Sequence, residues 1–179
     1  MPRNMEMSSA IERNDRMEKV IIIGCPGSGK STFGRELTRV TGLPLYHLDM
    51  MYWNEDRTTV TRENFIEKLQ AVMSKKEWIL DGNYESTMEM RFKECDTVFF
   101  LDYPTDLCIK GIEERKGKPR SDMPWIEDDT TDDEFISFIK NYNTESRIKV
   151  IALIKKYPDK EVFIFNSREE SNRFIKALI

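Results

Sequence analysis

The sequence predicts an α/β chain built on a five-stranded, largely parallel sheet. Short apolar runs alternate with stretches whose apolar residues recur at helical spacing, the pattern of strand–helix–strand units. The first run, Lys19–Gly24 (KVIIIG), is β-branched and does not alternate with polar residues, as a strand buried on both faces requires. Asp49, Asp81 and Asp102 stand at or just past the ends of three later runs, where parallel sheets bind their ligands.

Taken in order, residues 1–17 read as a flexible, polar extension without the apolar core of a signal peptide, and 18–179 as one domain. After the first strand, Gly29 to about Thr41 reads as a helix with Phe33, Leu37 and Val40 on one face, ended by Gly42 and Pro44. Leu45–Leu48 is a second strand. Thr61 is a plausible N-cap for a helix carrying Phe65, Leu69 and Val72 to about Lys75. Trp78–Leu80 and Thr97–Leu101 are strands three and four. Pro104–Arg115 is a helix with proline in its first turn. Gly117–Thr131 is polar and broken by Pro119 and Pro124, a loop placed as a short lid over about 116–131. Helices follow near Asp133–Lys140 and Thr144–Lys156. Val162–Phe165 is a fifth strand, and Ser167 caps a last helix to Leu178. The acidic run Glu127–Glu134 reads as a solvated hinge and helix start.

Composition narrows the function. With 28 basic and 32 acidic side chains the net charge is −4, which argues against broad binding to nucleic acid or an anionic membrane. No apolar run approaches the roughly 18 residues of a membrane span. Three cysteines, Cys25, Cys95 and Cys108, form no CxxC pair, so a reducing, cytoplasmic setting fits better than a disulfide framework or a zinc site. A single histidine, His47, leaves no parts for a His-based metal cluster or a Ser/His/Asp triad.

Between the first strand and first helix stand Gly24, Cys25, Pro26, Gly27, Ser28, Gly29, Lys30, Ser31 and Thr32, matching G-x-x-x-x-G-K-[ST] in the strand-to-helix setting that the motif needs. Glycines let backbone N–H groups converge on an anion, and the helix N-terminus adds its positive dipole end. Lys30 reaches β- and γ-phosphates as a point charge, and Ser31 offers a hydroxyl to Mg²⁺. The motif therefore predicts a P-loop NTPase three-layer sandwich that binds ATP and Mg²⁺. No base-reading N/T-K-x-D segment of a GTPase is present, and no strand ends in a D-E pair. What remains is the plan of a small-molecule or nucleotide kinase.

WILDGNY (Trp78–Tyr84) and VFFLDYPTDLCIKGIEERKG (Val98–Gly117) resemble segments of adenylate kinases. LPLYHLDMMYW, WILDGNYESTMEMR, GKPRSDM and SRIKVIALI together resemble the DNA topology modulation proteins, an adenylate-kinase-related P-loop family, over about Lys19–Leu178. The resemblance implies that Asp81 holds Mg²⁺ through water; the alternative is an acid opening a turn before Gly82. It implies that Asp49 meets the acceptor, orienting a hydroxyl or taking its proton, the alternative being a cap. His47 either touches an acceptor phosphate or is a buried structural histidine. Arg115 and Arg120, with Arg147 on a following helix, would be lid arginines that close over the triphosphate; the alternative is a solvated basic loop. Asn166, Ser167 and Arg168 would meet the nucleobase. Arg91 would grip an acceptor anion, although it comes eight residues after the place where adenylate kinases carry such an arginine, and Asn83-Tyr84 stand there instead. Trp53, with Met50 and Tyr52, either lines the acceptor pocket or packs a flap helix. The expectation is ATP-dependent phosphoryl transfer to a small acceptor, with nucleotides and nucleosides as candidates. The alternative is a nucleotide-binding regulator linked to DNA topology with weak or no kinase activity.

Overall fold

The computed structural model describes residues 17–126 and 133–179; most of the extension, the acidic run and the end of the expected lid lie outside the described residues. Five strands, β1 (Lys19–Gly24), β2 (Leu45–His47), β3 (Trp78–Asp81), β4 (Thr97–Leu101) and β5 (Glu161–Phe165), form one sheet in the order β2-β3-β1-β4-β5. Every pairing is parallel. The eight described helices are α1 (Lys30–Thr41), α2 (Leu48–Tyr52), α3 (Arg62–Met73), α4 (Glu85–Glu94), α5 (Thr105–Arg115), α6 (Asp133–Asn141), α7 (Ser146–Lys156) and α8 (Arg168–Ala177). None is long and apolar enough to cross a membrane.

The unbroken apolar run of β1 is explained by its central place. Val20 and Ile22 face one core with Phe33 and Leu37 of α1 and Phe174 of α8. Ile21 and Ile23 face the other, with Phe65 and Leu69 of α3 and Phe92 of α4. Helices thus cover both faces of the sheet, giving the expected three layers. Thr61 caps α3 by accepting a hydrogen bond from the Asn64 amide at 3.2 Å, and Ser167 caps α8 by accepting from Glu170 at 3.2 Å.

Two helices leave no periodic mark in the sequence. In α2, Leu48 opens a helix of only five residues rather than closing β2. In α4 the buried residues Thr87, Met88, Arg91 and Phe92 include two polar side chains, so an apolar stripe is missing.

β1 lies at the point where successive connections leave to opposite sides, β3 on one flank and β4 on the other, so the turn after it opens into the crevice of the sheet. That turn rests on α5. Gly27 has φ 82°, and a Cβ there would lie 2.0 Å from the Cys108 carbonyl oxygen. A Cβ on Gly111 would lie 2.1 Å from the Gly27 carbonyl oxygen. Gly111→Ala is therefore expected to destabilise the fold by about 1–3 kcal/mol through overpacking, and to weaken ATP binding at the same time. Thermal unfolding with calorimetric titration checks this; an unchanged midpoint with unchanged affinity would show that α5 simply moves aside.

Candidate active site

Sheet register assembles the acidic centre. His47, Asp81 and Ile22 are neighbours across β2, β3 and β1, so Asp81 ends its strand beside the turn that follows β1. The turn opens α1 at Gly29, and the first helical residues are Lys30 and Ser31. Lys30 Nζ donates to the carbonyls of Gly24 at 2.9 Å and Cys25 at 3.1 Å. Burial pulls its ammonium below the ordinary lysine range, with Asp81 opposing. Ser31 Oγ lies 2.8 Å from Asp81 Oδ2 and 2.7 Å from Asp122 Oδ2. His47 Nδ1 is 2.8 Å from the same Asp81 oxygen. Asp81 Oδ1 is buried with no hydrogen-bond partner among the described residues. A buried carboxylate oxygen left bare beside a serine hydroxyl is what a hard divalent cation or its water shell satisfies. The donor set fits Mg²⁺.

Asp122 had no signal of its own in the sequence beyond following Arg120 by two residues. It is 3% exposed. Arg120 donates to both its oxygens, Nε to Oδ1 at 3.1 Å and a terminal nitrogen to Oδ2 at 2.5 Å. Burial pushes the Asp122 carboxyl up, but hydrogen bonds from Arg120 and Ser31 outweigh it and hold the group well below the usual range.

Asp49 sits in the first turn of α2. Tyr84 Oη donates to its Oδ1 at 2.6 Å. Burial raises the Asp49 carboxyl above its ordinary value, while the Tyr84 hydrogen bond opposes. Tyr84 is held in the left-handed region, φ 39°, as the residue preceding α4; such a conformation costs of order 1–3 kcal/mol and persists only where its surroundings impose it. Arg91 imposes it. This arginine is wholly buried and donates to the carbonyls of Gly82 at 2.9 Å, of Asn83, and of Tyr84 at 3.2 Å. Burial lowers its guanidinium to about 10. Arg91 therefore holds the corner that carries Tyr84 and does not line the cavity.

The cavity, about 1110 Å³, joins three zones. Pro26–Thr32 and Asp81 form its floor. Asp49, Trp53, Asn83 and Tyr84 form one end, with Trp125. Arg115 at the end of α5, with Lys118 and Arg120 in the loop after it, also lines the cavity. The opposite end is made by Gly111, Ile112, Phe135, Phe138, Arg168 and Ile175, from α5, α6 and the last helix. Gly24 and Cys25 lie beneath the loop outside this lining.

Three further expected site residues lie outside the cavity. Arg147 grips Asp102 through two 2.7 Å hydrogen bonds and lines a separate pocket with Asn143 and Asn166. The Asn166 amide donates to Glu170 Oε2 at 2.7 Å. Ser167 is occupied as the cap of α8, leaving Arg168 as the member of that trio in the cavity. Phe135 and Phe138 were not legible as site residues, because an amphipathic helix looks the same whether its apolar face meets a core or a ligand.

No family model matches the chain. The adenylate kinases of Thermotoga petrophila and Thermotoga maritima are each 29% identical over 93 residues, 49% of this chain and 40% of theirs; the match thus spans well under half the length of these relatives. Among solved structures, shikimate kinase from Acinetobacter baumannii in complex with shikimate superposes with a TM-score of 0.63 at 14% identity, covering 94% of both chains. A gluconokinase from Sinorhizobium meliloti gives 0.53 at 11% identity, covering 90% of this chain and 89% of its own. The likeness is one of fold, and the fold is the five-stranded parallel α/β sandwich of P-loop kinases.

Proposed function

We propose that this protein transfers the γ-phosphoryl group of ATP to a small acceptor, with nucleotides and nucleosides among the candidates. The observation that carries the reading is the meeting, in one cavity, of a phosphate-binding turn with Lys30, Ser31 and Asp81 on one side and a half-buried acid, Asp49, on the other. In the reaction the bond from the γ-phosphorus to its bridging oxygen breaks, and a bond forms to an acceptor oxygen. The acceptor proton passes to Asp49, and ADP leaves. Lys30 neutralises charge that develops on the transferred group and the bridging oxygen. Ser31 and Asp81 would hold Mg²⁺, which supplies further charge neutralisation on the β- and γ-phosphates when bound. Arg115 and Arg120 would exclude water and stabilise the transferring charge from the lid side. Arg168 and the phenylalanines of α6 would receive the base.

The resemblance to the DNA topology modulation proteins carries the second reading, a nucleotide-binding regulator. Purified protein with γ-labelled ATP and Mg²⁺ is tested against nucleosides, nucleotides and small alcohols. Acceptor-dependent ADP release that disappears in Lys30→Ala is the expected result. Release that never exceeds slow hydrolysis, together with salt-sensitive DNA binding, would replace the kinase reading by the second one.

A further inference from the structure

The acceptor end has features that select for a chemical class. Its floor is the carboxylate of Asp49, and the nearest phenol, Tyr84, already gives its proton to that carboxylate. The guanidinium of α4, Arg91, is buried and turned to three carbonyls. Asn83 turns its Oδ1 to the Gly24 amide at 3.2 Å, away from the acceptor. Of the cavity-lining side chains between α2 and α3, Arg57 is the cationic one, in an exposed turn. A phosphate monoester carries between one and two negative charges near neutral pH. At this end it would face the Asp49 carboxylate, while Lys30 is engaged by the loop carbonyls, Arg120 by Asp122, and Arg57 stands in an exposed turn. A hydroxyl has the opposite need, a group to take its proton, and Asp49 meets it.

Aromatic rings back this end. They run from the buried Phe65 to Tyr84 at 5.1 Å, Tyr84 to Tyr52 at 4.8 Å, Tyr52 to Trp53 at 5.3 Å, and Trp53 to Trp125 at 4.9 Å, and of these Tyr84, Trp53 and Trp125 line the cavity. The last pair is edge-to-face and joins the α2 side of the cavity to the lid side. Both tryptophans line the cavity and are partly exposed. Partly exposed indole surface lining a cavity favours flat ring systems.

We propose that the acceptor is an uncharged hydroxyl compound with a flat ring, of the nucleoside or aromatic-alcohol type, received by Trp53 and Trp125, with Tyr84 positioning Asp49. This rests on the kinase reading above.

The full chain, with γ-labelled ATP and Mg²⁺, is given five nucleosides, each paired with its own 5′-monophosphate, with pyridoxine as an aromatic alcohol and glycerol as a ringless one. The expected result is a kcat/KM for nucleoside or pyridoxine about 100-fold above that for the monophosphates, since like-charge juxtaposition excludes the latter. Trp53→Ala should raise KM for the ring-bearing acceptor about tenfold with a smaller change in kcat, the value of one lost stacking contact. Tyr84→Phe tests the positioning role. Around Asp49 stand Asp81, which raises its carboxyl, and Lys30 and Arg120, which lower it, with burial the largest influence. Removing the phenol's hydrogen bond lets burial carry the carboxyl higher. The acid limb of the kcat/KM profile should then move up by about one pH unit, with ATP affinity unchanged. Preference for the monophosphates, or for glycerol, overturns the assignment while leaving kinase activity standing. ATP binding by calorimetry without transfer to any acceptor overturns the kinase reading and this inference with it.

Discussion

Lys30→Ala is expected to lower phosphoryl transfer by about 10³-fold, the scale of losing one preorganised charge on the reacting group. The fold should survive. Lys30 is only partly buried, and its hydrogen bonds to the carbonyls of Gly24 and Cys25 are a small part of what holds β1 in the centre of the sheet. Nothing in the sheet depends on it. Burial also draws its ammonium below the ordinary range, with Asp81 opposing. Rapid-quench measurement of one turnover, with thermal unfolding as a control, decides the matter. Transfer within tenfold of the parent would remove Lys30 from the chemistry.

Asp49→Asn is expected to lower transfer by about 10²–10⁴-fold, the range for a positioned general base, while ATP binds as before. The amide keeps the carboxyl's shape and still accepts from Tyr84 Oη, so geometry is retained. Stability should move the other way. The Asp49 carboxyl is raised in the folded chain. Between the unfolded and folded values the native state therefore binds more protons, and stability falls as pH rises through that window. Above that window the ionised acid is a destabilising presence, and the neutral amide removes it. A variant with higher melting temperature and almost no transfer marks a site where stability is given up for function. Equal loss of ATP binding and transfer would assign Asp49 a structural role instead.

The fold was legible because its signals are local. KVIIIG followed by CPGSGKST names a strand, a turn and a helix without reference to anything distant. Asp81 was legible for the same reason, as an acid closing an apolar run. The arginines were not. Spacing puts Arg91 on a helix near the acceptor, but whether its guanidinium faces a ligand or its own corner depends on burial, and it is wholly buried. Arg147 follows the lid in sequence but finds Asp102, 45 residues away, before it can reach the cavity. Asp122 reaches Ser31 across 91 residues, a pairing set by how the loop after α5 folds back. Reading from residue types finds which groups carry chemistry; it does not find which are already engaged.

Ser31 has one hydroxyl proton and two carboxylates within reach of it, those of Asp81 and Asp122. One of them must face an oxygen lone pair. Arg120 already balances Asp122 through two hydrogen bonds, and Lys30 stands at the same loop. A divalent ion taken up by Ser31 and Asp81 would draw the serine lone pairs to itself and compete with Asp122 for the hydroxyl. The pairing of Arg120 with Asp122 is thus the contact that would answer to whether the triphosphate arrives with its metal.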